Sequence, residues 1–286
     1  MGVHRIKISD IFSMMGQVVY LHFFTYNQHR FWAFTQMQRA HARLQDCKGL
    51  QFYKLLGTGA GAGFSLRPDF STYALLSVWD SEDNKKQAFS NSPVLQSFFD
   101  RSATQRIYAL RPIHTHGKWS GQSPFVVQEP LGDKPIGVIT RATLNPSRLI
   151  DFWRHVPQAS KAIKEAKGVG FFKGIGEWPF VQQATFSVWE SAEAIRTFAY
   201  VSQAHASIVK KTRERKWYKE DMFNRFEVLS EEKTPLVSFI TKELKTSDET
   251  KRKIKEDAYQ LIEKIDSKTS AINEPYKKRI KFIFTF

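Results

Sequence analysis

The strongest constraint on the fold is an internal repeat that covers most of the chain. The stretch KGLQFYKLLG at 48–57 returns as KGVGFFKGIG at 167–176, an offset of 119 residues. Further along, SVWDSE at 77–82 returns as SVWESA at 187–192, an offset of 110 residues. The difference between the two offsets falls in the Gly- and Pro-rich stretch 58–70, because loop length changes at little cost in free energy. The sequence therefore predicts two copies of one structural unit.

Each copy follows the same order of strand, helix, strand, strand, helix and strand. Each copy opens on an apolar run rich in β-branched and aromatic residues, which is typical of a buried strand. In the second copy the following helix is predicted to begin after Asn145, as N-cap, with Pro146 at its first position. The second helix of each copy is predicted to begin near Ser81 and Ser191. The predicted strands are 18–26, 49–57, 72–79 and 105–113 in the first copy and 136–144, 168–176, 181–189 and 223–229 in the second.

This order, βαββαβ, is typical of a ferredoxin-like unit of the α+β class. An antiparallel sheet with helices on one face leaves its other face bare, and two such units can bury their bare faces against each other. We therefore expect tandem ferredoxin-like repeats that form an intramolecular pseudo-dimeric α/β barrel. The predicted boundaries are 15–113 for the first repeat, 114–135 for a linker, 136–230 for the second repeat and 231–286 for a C-terminal extension.

The C-terminal extension is charged and Lys-rich. Within it, residues 251–266 place their apolar side chains on one stripe, which predicts an amphipathic helix outside the repeats. Such a helix either packs on the domain or contacts a partner or a membrane surface.

The chain is strongly basic, with a net charge of +15 and a pI near 9.8. This charge favours anionic partners, such as acidic lipid headgroups or an acidic redox protein, and it also serves solubility. The sequence has no zinc-finger spacing, no RNP-like aromatic signature and no long Arg-rich arm. We therefore expect no nucleic-acid partner.

The cysteine count and the hydropathy pattern indicate the cellular compartment. Cys47 is the single cysteine, so no disulfide can form within the chain, which suits a reducing cytoplasm. The sequence has no apolar run near the ~18 residues that a membrane-spanning helix needs. It also lacks an N-terminal apolar segment typical of a signal peptide. We expect a cytoplasmic protein that is soluble or peripheral to a membrane.

One histidine, His205, lies on the apolar stripe of the second helix of the second copy. The stripe consists of Phe198, Val201, His205, Ile208 and Thr212. In the first copy the counterpart of His205 is Leu95, or Phe98 or Phe99 if that helix begins a turn later. A histidine in this setting is either a hydrogen-bonded core residue or, because neutral imidazole binds iron well, an axial haem ligand. An imidazole in only one of two copies favours a site in that copy.

The residues around His205 resemble two known groups of proteins. The run VWES at 188–191, then Phe198 and His205 before a basic stretch, resembles the second helix of the dimeric α/β-barrel haem-degrading monooxygenases. A Trp precedes the axial histidine in those enzymes, and Phe198 is its nearest equivalent here. A longer resemblance, over most of 15–230, is to the spheroidene monooxygenase family of carotenoid biosynthesis. Besides His205, its segments are 52–64, 73–82, 170–191, 198–200 and 212–226.

The resemblance implies a haem-dependent (heme-dependent) oxygenase. It would use O2 and an external electron donor, such as reduced ferredoxin, to convert an acyclic carotenoid end group to a hydroxyl and then a ketone. It implies that His205 is the axial ligand of the iron. Lys210, Arg213 or Arg215 could pair with the haem propionates, or the basic run could instead complement the helix dipole.

A carotenoid is a long apolar rod, so its site must be lined by apolar and aromatic groups. Many aromatic residues of the second copy could serve both as lining and as core. The candidates for the lining are Phe171, Phe172, Trp178, Phe180, Phe186 and Phe198. Because the substrate resides in membrane, the basic charge also favours peripheral contact with an anionic bilayer.

Two other functions stay open at this level. The chain could be a cofactor-free oxygenase or isomerase on the same fold, with His205 as an acid–base group. It could also be a non-enzymatic protein that binds haem, pigments or anionic partners.

Three further motifs have ordinary interpretations. The stretch GTGAGAG at 57–63 joins two strands and lacks the Gly-Lys-Ser/Thr of a P-loop, so it predicts a flexible lid or bulge. Glu177 follows Gly176 in what reads as a tight loop, which predicts a surface carboxylate, with a proton relay as the alternative. His114 and His116 form an HxH pair, but no third ligand stands nearby, so a metal site is not favoured.

Overall fold

The computed structural model describes residues 16–61, 67–178, 180–201 and 210–234. The chain divides into two compact units, Met1–Pro235 and Leu236–Phe286. The amphipathic helix predicted at 251–266 lies outside the described residues.

The first unit contains eight described strands and two sets of helices. The strands are β1 Val18–Thr25, β2 Leu50–Gly59, β3 Pro68–Trp79, β4 Thr104–Gly117, β5 Ile136–Leu144, β6 Val169–Trp178, β7 Gln182–Trp189 and β8 Tyr218–Thr234. The helices are α1 Arg30–Arg39, α2 His41–Leu44, α3 Glu82–Asn91, α4 Pro93–Arg101, α5 Leu149–Lys164 and α6 Ala192–Arg196. A 3₁₀ turn, Pro146–Arg148, precedes α5, and a π-helical turn, Thr197–Val201, follows α6.

The predicted helix starts are confirmed by capping hydrogen bonds. The Ser81 hydroxyl accepts from the Asn84 amide at 3.3 Å, and the Ser191 hydroxyl accepts from the Ala194 amide at 3.2 Å. A serine oxygen satisfies an amide that the helix leaves without a partner, which is why serine begins helices so often. The Asn145 side chain accepts from the Ser147 amide at 3.3 Å in the same way.

The strands form one closed barrel in the order β1-β3-β2-β6-β7-β5-β8-β4, and all neighbours are antiparallel. The repeats meet at two seams. At one seam β2 pairs with β6, Gly57 opposite Gly176. At the other, the long strands β4 and β8 pair from Gln105–Thr234 to Gly117–Met222. The predicted fold class, tandem repeats closed into one α/β barrel, is confirmed.

The core has an inner and an outer layer. One cluster of buried apolar side chains fills the barrel, with contributions from all eight strands. On the outside, α1, α3 and α4 cover the first repeat, and separate clusters lie beneath α5 and α6 on the second. β1, β3 and β5 are therefore buried on both faces over most of their length, which explains why their segments read as nearly continuous apolar runs.

The segment 114–135, predicted as a linker, also contributes to this core. Residues 114–117 extend β4, and Trp119 and Phe125 belong to the interior cluster. The Phe125 ring lies edge-on to Phe226, with centroids 5.0 Å apart. The sequence does not predict this role, because the segment is rich in Gly, Pro and Ser and two isolated aromatic residues give no periodic pattern.

No helix within the described ranges is both long enough and apolar enough to cross a bilayer.

Candidate functional site

The helix-facing side of the first repeat is filled by large side chains. His22, Leu75 and Leu55 form a row across β1, β3 and β2, since His22 pairs with Leu75 and Leu75 pairs with Leu55. All three side chains are buried, and Leu55 and Leu75 pack in the cluster beneath the helices. This row leaves no room for a ligand between sheet and helices.

The same row in the second repeat consists of small residues. Thr140, Thr185 and Gly174 occupy it, because Thr140 pairs with Thr185 and Gly174 pairs with Thr185 across β5, β7 and β6. These three residues, the small-residue row, replace an imidazole and two leucines. The next row changes in the same direction, with Ala142 at the position of Phe24.

Strand alternation places the small-residue row on the helix-facing side. Ile175, Ala184 and Phe186 point into the barrel core, so the intervening Gly174 and Thr185 face outward. The row spans three strands, which at about 4.8 Å between neighbours gives a floor roughly 10 Å wide. This floor is the strongest candidate for a ligand site in the described part of the chain.

The cover above the floor begins with an unusual turn. Helix α6 has only five residues and continues into the π-helical turn Thr197–Val201. Turns of this kind are rare and occur often at functional sites. Phe198, in this turn, packs on Trp189 with ring centroids 5.0 Å apart. His205 lies in 202–209, outside the described residues.

The predicted basic partners of haem lie where the described chain resumes. Lys210 is exposed and contacts Glu214 at 3.7 Å, one helical turn away. Arg213 is also exposed. In this arrangement Lys210 interacts with a neighbour on its own helix, which is the ordinary behaviour of a solvated helix end.

Three of the six aromatics predicted to line a substrate channel, Phe171, Phe186 and Trp178, do not share one surface. Phe171 and Phe186 lie inside the barrel, with ring centroids 6.2 Å apart, and both contact Phe23. Trp178 is exposed at the end of β6. The interior pair supports the sheet behind the small-residue row, whereas Trp178 lies beyond its edge.

The first repeat has its own buried imidazole, which corrects the expected asymmetry between the copies. His22 lies on β1 rather than on a helix, stacked near Phe24 and Phe89 and edge-on to Phe99. Burial, and secondarily the nearby Lys85 charge, lowers the pKa of His22 to about 3, so the ring is neutral. His22 is walled in by aromatic rings and serves packing. The strand pattern of 18–26 predicted its burial but not this role.

In the described part of the second repeat, His155 is the single histidine, and sequence reasoning missed it. Its Nδ1 lies 2.8 Å from the carbonyl oxygen of Asp151, which can only accept, so Nδ1 carries the proton. The ring lies 5.1 Å from the Trp217 ring, and the side chain is half-buried. His155 lies on α5, and its position on a helix face was the only available signal.

Glu177 does not lie in a surface loop, as had been expected. It belongs to β6, where it accepts from Lys54 Nζ at 2.6 Å and from Trp119 Nε1 at 2.5 Å. Both charged side chains are mostly buried. The sequence could not show this because the partners come from the other repeat and from the segment after β4.

A second buried polar group lies inside the barrel, on β5 and β8. Arg141 pairs with Glu220, which also accepts from the amides of Ser120 and Gly121 at 3.0 and 2.8 Å. Burial alone would raise the pKa of Glu220, but these amides and the guanidinium outweigh it and leave that pKa lowered. Asn224, fully buried nearby, has neither amide atom paired within the described residues.

No group of three or more potential metal ligands occurs among the residues that the structure describes. His114 and His116 are both exposed on β4. The small-residue row fits a haem in one respect. Its small side chains form a broad floor, and such a floor can accommodate a flat macrocycle.

Sequence comparison finds three relatives, each named spheroidene monooxygenase. The protein of Rhodobacter capsulatus is 33% identical over 215 residues, which cover 72% of this chain and 89% of that protein. The protein of Cereibacter sphaeroides is 33% identical over 217 residues, 74% of this chain and 67% of that protein. The protein of Rubrivivax gelatinosus is 33% identical over 182 residues, 64% of this chain and 70% of that protein. No protein-family model matches the chain.

Among solved structures, an aldoxime dehydratase in complex with butyraldoxime is 12% identical, covers 74% of this chain and 80% of its own, and has a TM-score of 0.49. An anthrone oxidase-like protein is 13% identical, covers 77% of this chain and 94% of its own, and has a TM-score of 0.29.

Proposed function

The chain belongs to the spheroidene monooxygenase family, and we propose that it is a haem-dependent enzyme that oxidises an acyclic, spheroidene-like carotenoid. It is a carotenoid-oxidising monooxygenase and therefore an oxidoreductase. The haem, the product and the electron donor are parts of the proposal.

The proposed reaction inserts one oxygen atom of O2 into a C–H bond of the carotenoid end group. The other oxygen atom leaves as water, with two protons and two electrons from an external donor of the ferredoxin class. A second round at the same carbon gives a geminal diol, which loses water to form the ketone.

The small-residue row is the observation that carries the site assignment. Thr140, Thr185 and Gly174 replace His22, Leu75 and Leu55 at matched positions of a duplicated sheet. Removing large side chains from a closed interface leaves a cavity that destabilises the fold unless something fills it. A ligand in the second repeat accounts for this difference.

In this proposal His205 would hold the haem iron and Phe198 would contact the haem. Lys210 and Arg213 pair with the propionates, which requires Lys210 to exchange its weak surface contact with Glu214. The haem supplies the activation of oxygen. The chain supplies the floor, the apolar walls that exclude water and the orientation of the substrate.

The residues predicted to contact the substrate have different roles in this proposal. Trp178 contacts the apolar rod where it leaves the protein, because it lies exposed at the end of β6. Phe171 and Phe186 brace the strands of the small-residue row from the barrel interior. The basic surface meets an acidic electron donor, and the enzyme works in the cytoplasm at the membrane periphery.

The test is an absorption spectrum of the full chain expressed with haem supply, followed by turnover of an acyclic carotenoid with O2 and reduced ferredoxin. We expect a Soret band that is lost in His205→Ala and kept in the matched control His155→Ala. Thermal unfolding of both variants shows whether the fold survives.

Four results would contradict the proposal. A full Soret band in His205→Ala removes the ligand assignment, and loss in His155→Ala alone moves the ligand to α5. A colourless preparation that still oxidises the carotenoid supports a cofactor-free oxygenase, and pigment that co-purifies without product supports a carrier.

A further inference from the structure

The second repeat has an exposed apolar patch at one end of the barrel. Trp178 is 68% exposed, Ile150 is 72% exposed and Phe180 is 46% exposed. Trp153 joins them, since its ring centroid lies 6.0 Å from that of Phe180. We name these four residues the Trp178 patch. Large apolar side chains grouped on a surface mark an interaction site more often than scattered ones do.

The Trp178 patch is held in place by hydrogen bonds. The Trp153 indole donates to the carbonyl of Phe180 at 3.0 Å. The Leu144 amide donates to the carbonyl of Val181 at 2.8 Å. These bonds tie the tip of the β6–β7 hairpin to the start of α5. The patch is thus a preformed surface, and docking it requires little ordering of the chain.

Positive charge surrounds the patch. The Asn145 amide donates to the carbonyl of Trp217 at 2.8 Å, which brings the loop before α5 against the start of β8. Arg148, Lys216 and Lys219 are exposed on these two segments.

The carboxylates of this region are largely engaged by cations of the protein. In 145–155, 176–183 and 210–221, four of them are paired, and Asp221 is the remaining one. The pairs are Asp151 with Arg215, Glu177 with Lys54, Glu214 with Lys210, and Glu220 with Arg141. The surface around the patch is therefore cationic, complementary to an anionic partner.

The first repeat has an equivalent apolar patch, which provides an internal comparison. Phe31, Phe34 and Phe70 are exposed, and they match Ile150, Trp153 and Phe180 at the offsets of 119 and 110. We name these three residues the Phe34 patch. Because β2 and β6 run antiparallel, the two hairpins point in opposite directions along the seam.

Two differences select the Trp178 patch as the docking end. It contains two tryptophans, the residue most enriched at the interface between lipid and water. It also terminates β6 and β7, the strands that carry two members of the small-residue row, whereas the row behind the Phe34 patch is filled.

We propose that the Trp178 patch docks on the surface of an anionic phospholipid bilayer, with its aromatic side chains among the headgroups and the surrounding cations on lipid phosphates. Docking in this orientation brings the ends of β6 and β7, the strands that carry Gly174 and Thr185, toward the lipid. The direction of substrate access rests on the proposed function, but the docking itself does not.

The experiment is sedimentation of the full chain with vesicles of phosphatidylcholine and phosphatidylglycerol in equal amounts, without carotenoid. Trp178→Ser/Phe180→Asn should weaken vesicle binding at least tenfold, and Asn is chosen because it tolerates the positive φ of Phe180. The matched control, Phe31→Ser/Phe34→Ser, should bind as the unchanged protein does. Vesicles of phosphatidylcholine alone should bind weakly.

Equal vesicle binding by Trp178→Ser/Phe180→Asn would overturn the proposal, as would a loss confined to the Phe34-patch control. Equally tight binding to vesicles of phosphatidylcholine alone would contradict the claim that the bilayer must be anionic. Thermal unfolding should be unchanged in both variants because the replaced side chains are exposed. Turnover of detergent-dispersed carotenoid by the unchanged protein separates the two ideas, because an unchanged protein that oxidises the carotenoid but does not sediment with anionic vesicles contradicts docking and leaves the proposed function standing.

Discussion

Lys54 Nζ lies 2.6 Å from Glu177 Oε2, an ion pair that joins the first repeat to the second across the β2–β6 seam. Lys173, the repeat equivalent of Lys54, makes the reciprocal contact, 3.2 Å from Asp69 Oδ2 in the first repeat. All four side chains are mostly buried. Two equivalent lysines thus pair with carboxylates at non-equivalent positions of the other repeat, at a seam where few strand residues are hydrogen-bonded.

Breaking one seam pair should destabilise the fold. Lys54→Met leaves the buried Glu177 carboxylate with only the Trp119 indole, and we expect a loss of about 2–4 kcal/mol in the free energy of unfolding. Denaturant titration measures it. Lys54→Met/Glu177→Leu should recover part of the loss because no unpaired charge remains. If Lys54→Met is as stable as the unchanged protein, the ion pair contributes nothing to the free energy of unfolding.

Filling the small-residue row should abolish activity and spare the fold. In Gly174→Leu/Thr185→Leu the second repeat receives the side chains of Leu55 and Leu75, and φ at Gly174 is not positive, so the backbone admits them. We expect at least a hundredfold loss in kcat/KM for the carotenoid and no Soret band.

The reciprocal change provides the control for this prediction. Leu75→Thr in the first repeat should lower the free energy of unfolding by about 2–3 kcal/mol, since it leaves a cavity and a buried hydroxyl. Its turnover at low temperature should be unchanged. Full activity in the filled variant would remove the ligand from this face of the sheet.

Protonation of His22 should contribute to acid sensitivity. Its pKa is about 3 in the folded protein and about 6.5 unfolded, so the unfolded chain binds more protons between those values and stability falls as pH drops through this window. Between pH 7 and pH 5 the contribution is about 2 kcal/mol. His22→Phe should remove that part of the pH dependence, measured by denaturant titration at both pH values. Unchanged pH dependence in the variant would show that His22 is free to ionise when folded.

Asn224 is the one fully buried amide side chain whose two polar atoms both lack partners among the described residues. Asn224→Leu has nearly the same shape and buries no polar group, so we expect an unchanged or raised melting temperature. Arg141→Met on the facing strand should lower it, because Glu220 then loses its guanidinium. A clear destabilisation by Asn224→Leu would indicate that the amide is satisfied, for example by buried water.

The sequence predicted the fold well because repetition doubled every local signal. The offsets of 119 and 110 located corresponding strands, and serine and asparagine caps located the helix starts at Ser81, Ser191 and Asn145. The contribution of Trp119 and Phe125 to the core was missed, because no periodicity surrounds them.

The site was less accessible to sequence reasoning. Phe171, Phe186 and Trp178 were grouped by composition, but strand alternation puts the first two inside the barrel, and the third is exposed. The sequence indicates a loop at Glu177 because its partners, Lys54 and Trp119, are distant in sequence. The small-residue row needs the cross-strand register, which the sequence does not provide. The role of His205 stays a prediction.

The packed outer face of the first repeat has a consequence for how this chain tolerates change over time. Folding depends on the first repeat because its outer face is tightly packed. Selection should therefore remove mutations there that lower the stability of the fold. The second repeat contributes less to the stability of the fold, so its residues can vary and change the chemistry of the site. Drift in substrate preference should therefore accumulate in one half of the gene, while the other half changes slowly and keeps the architecture intact.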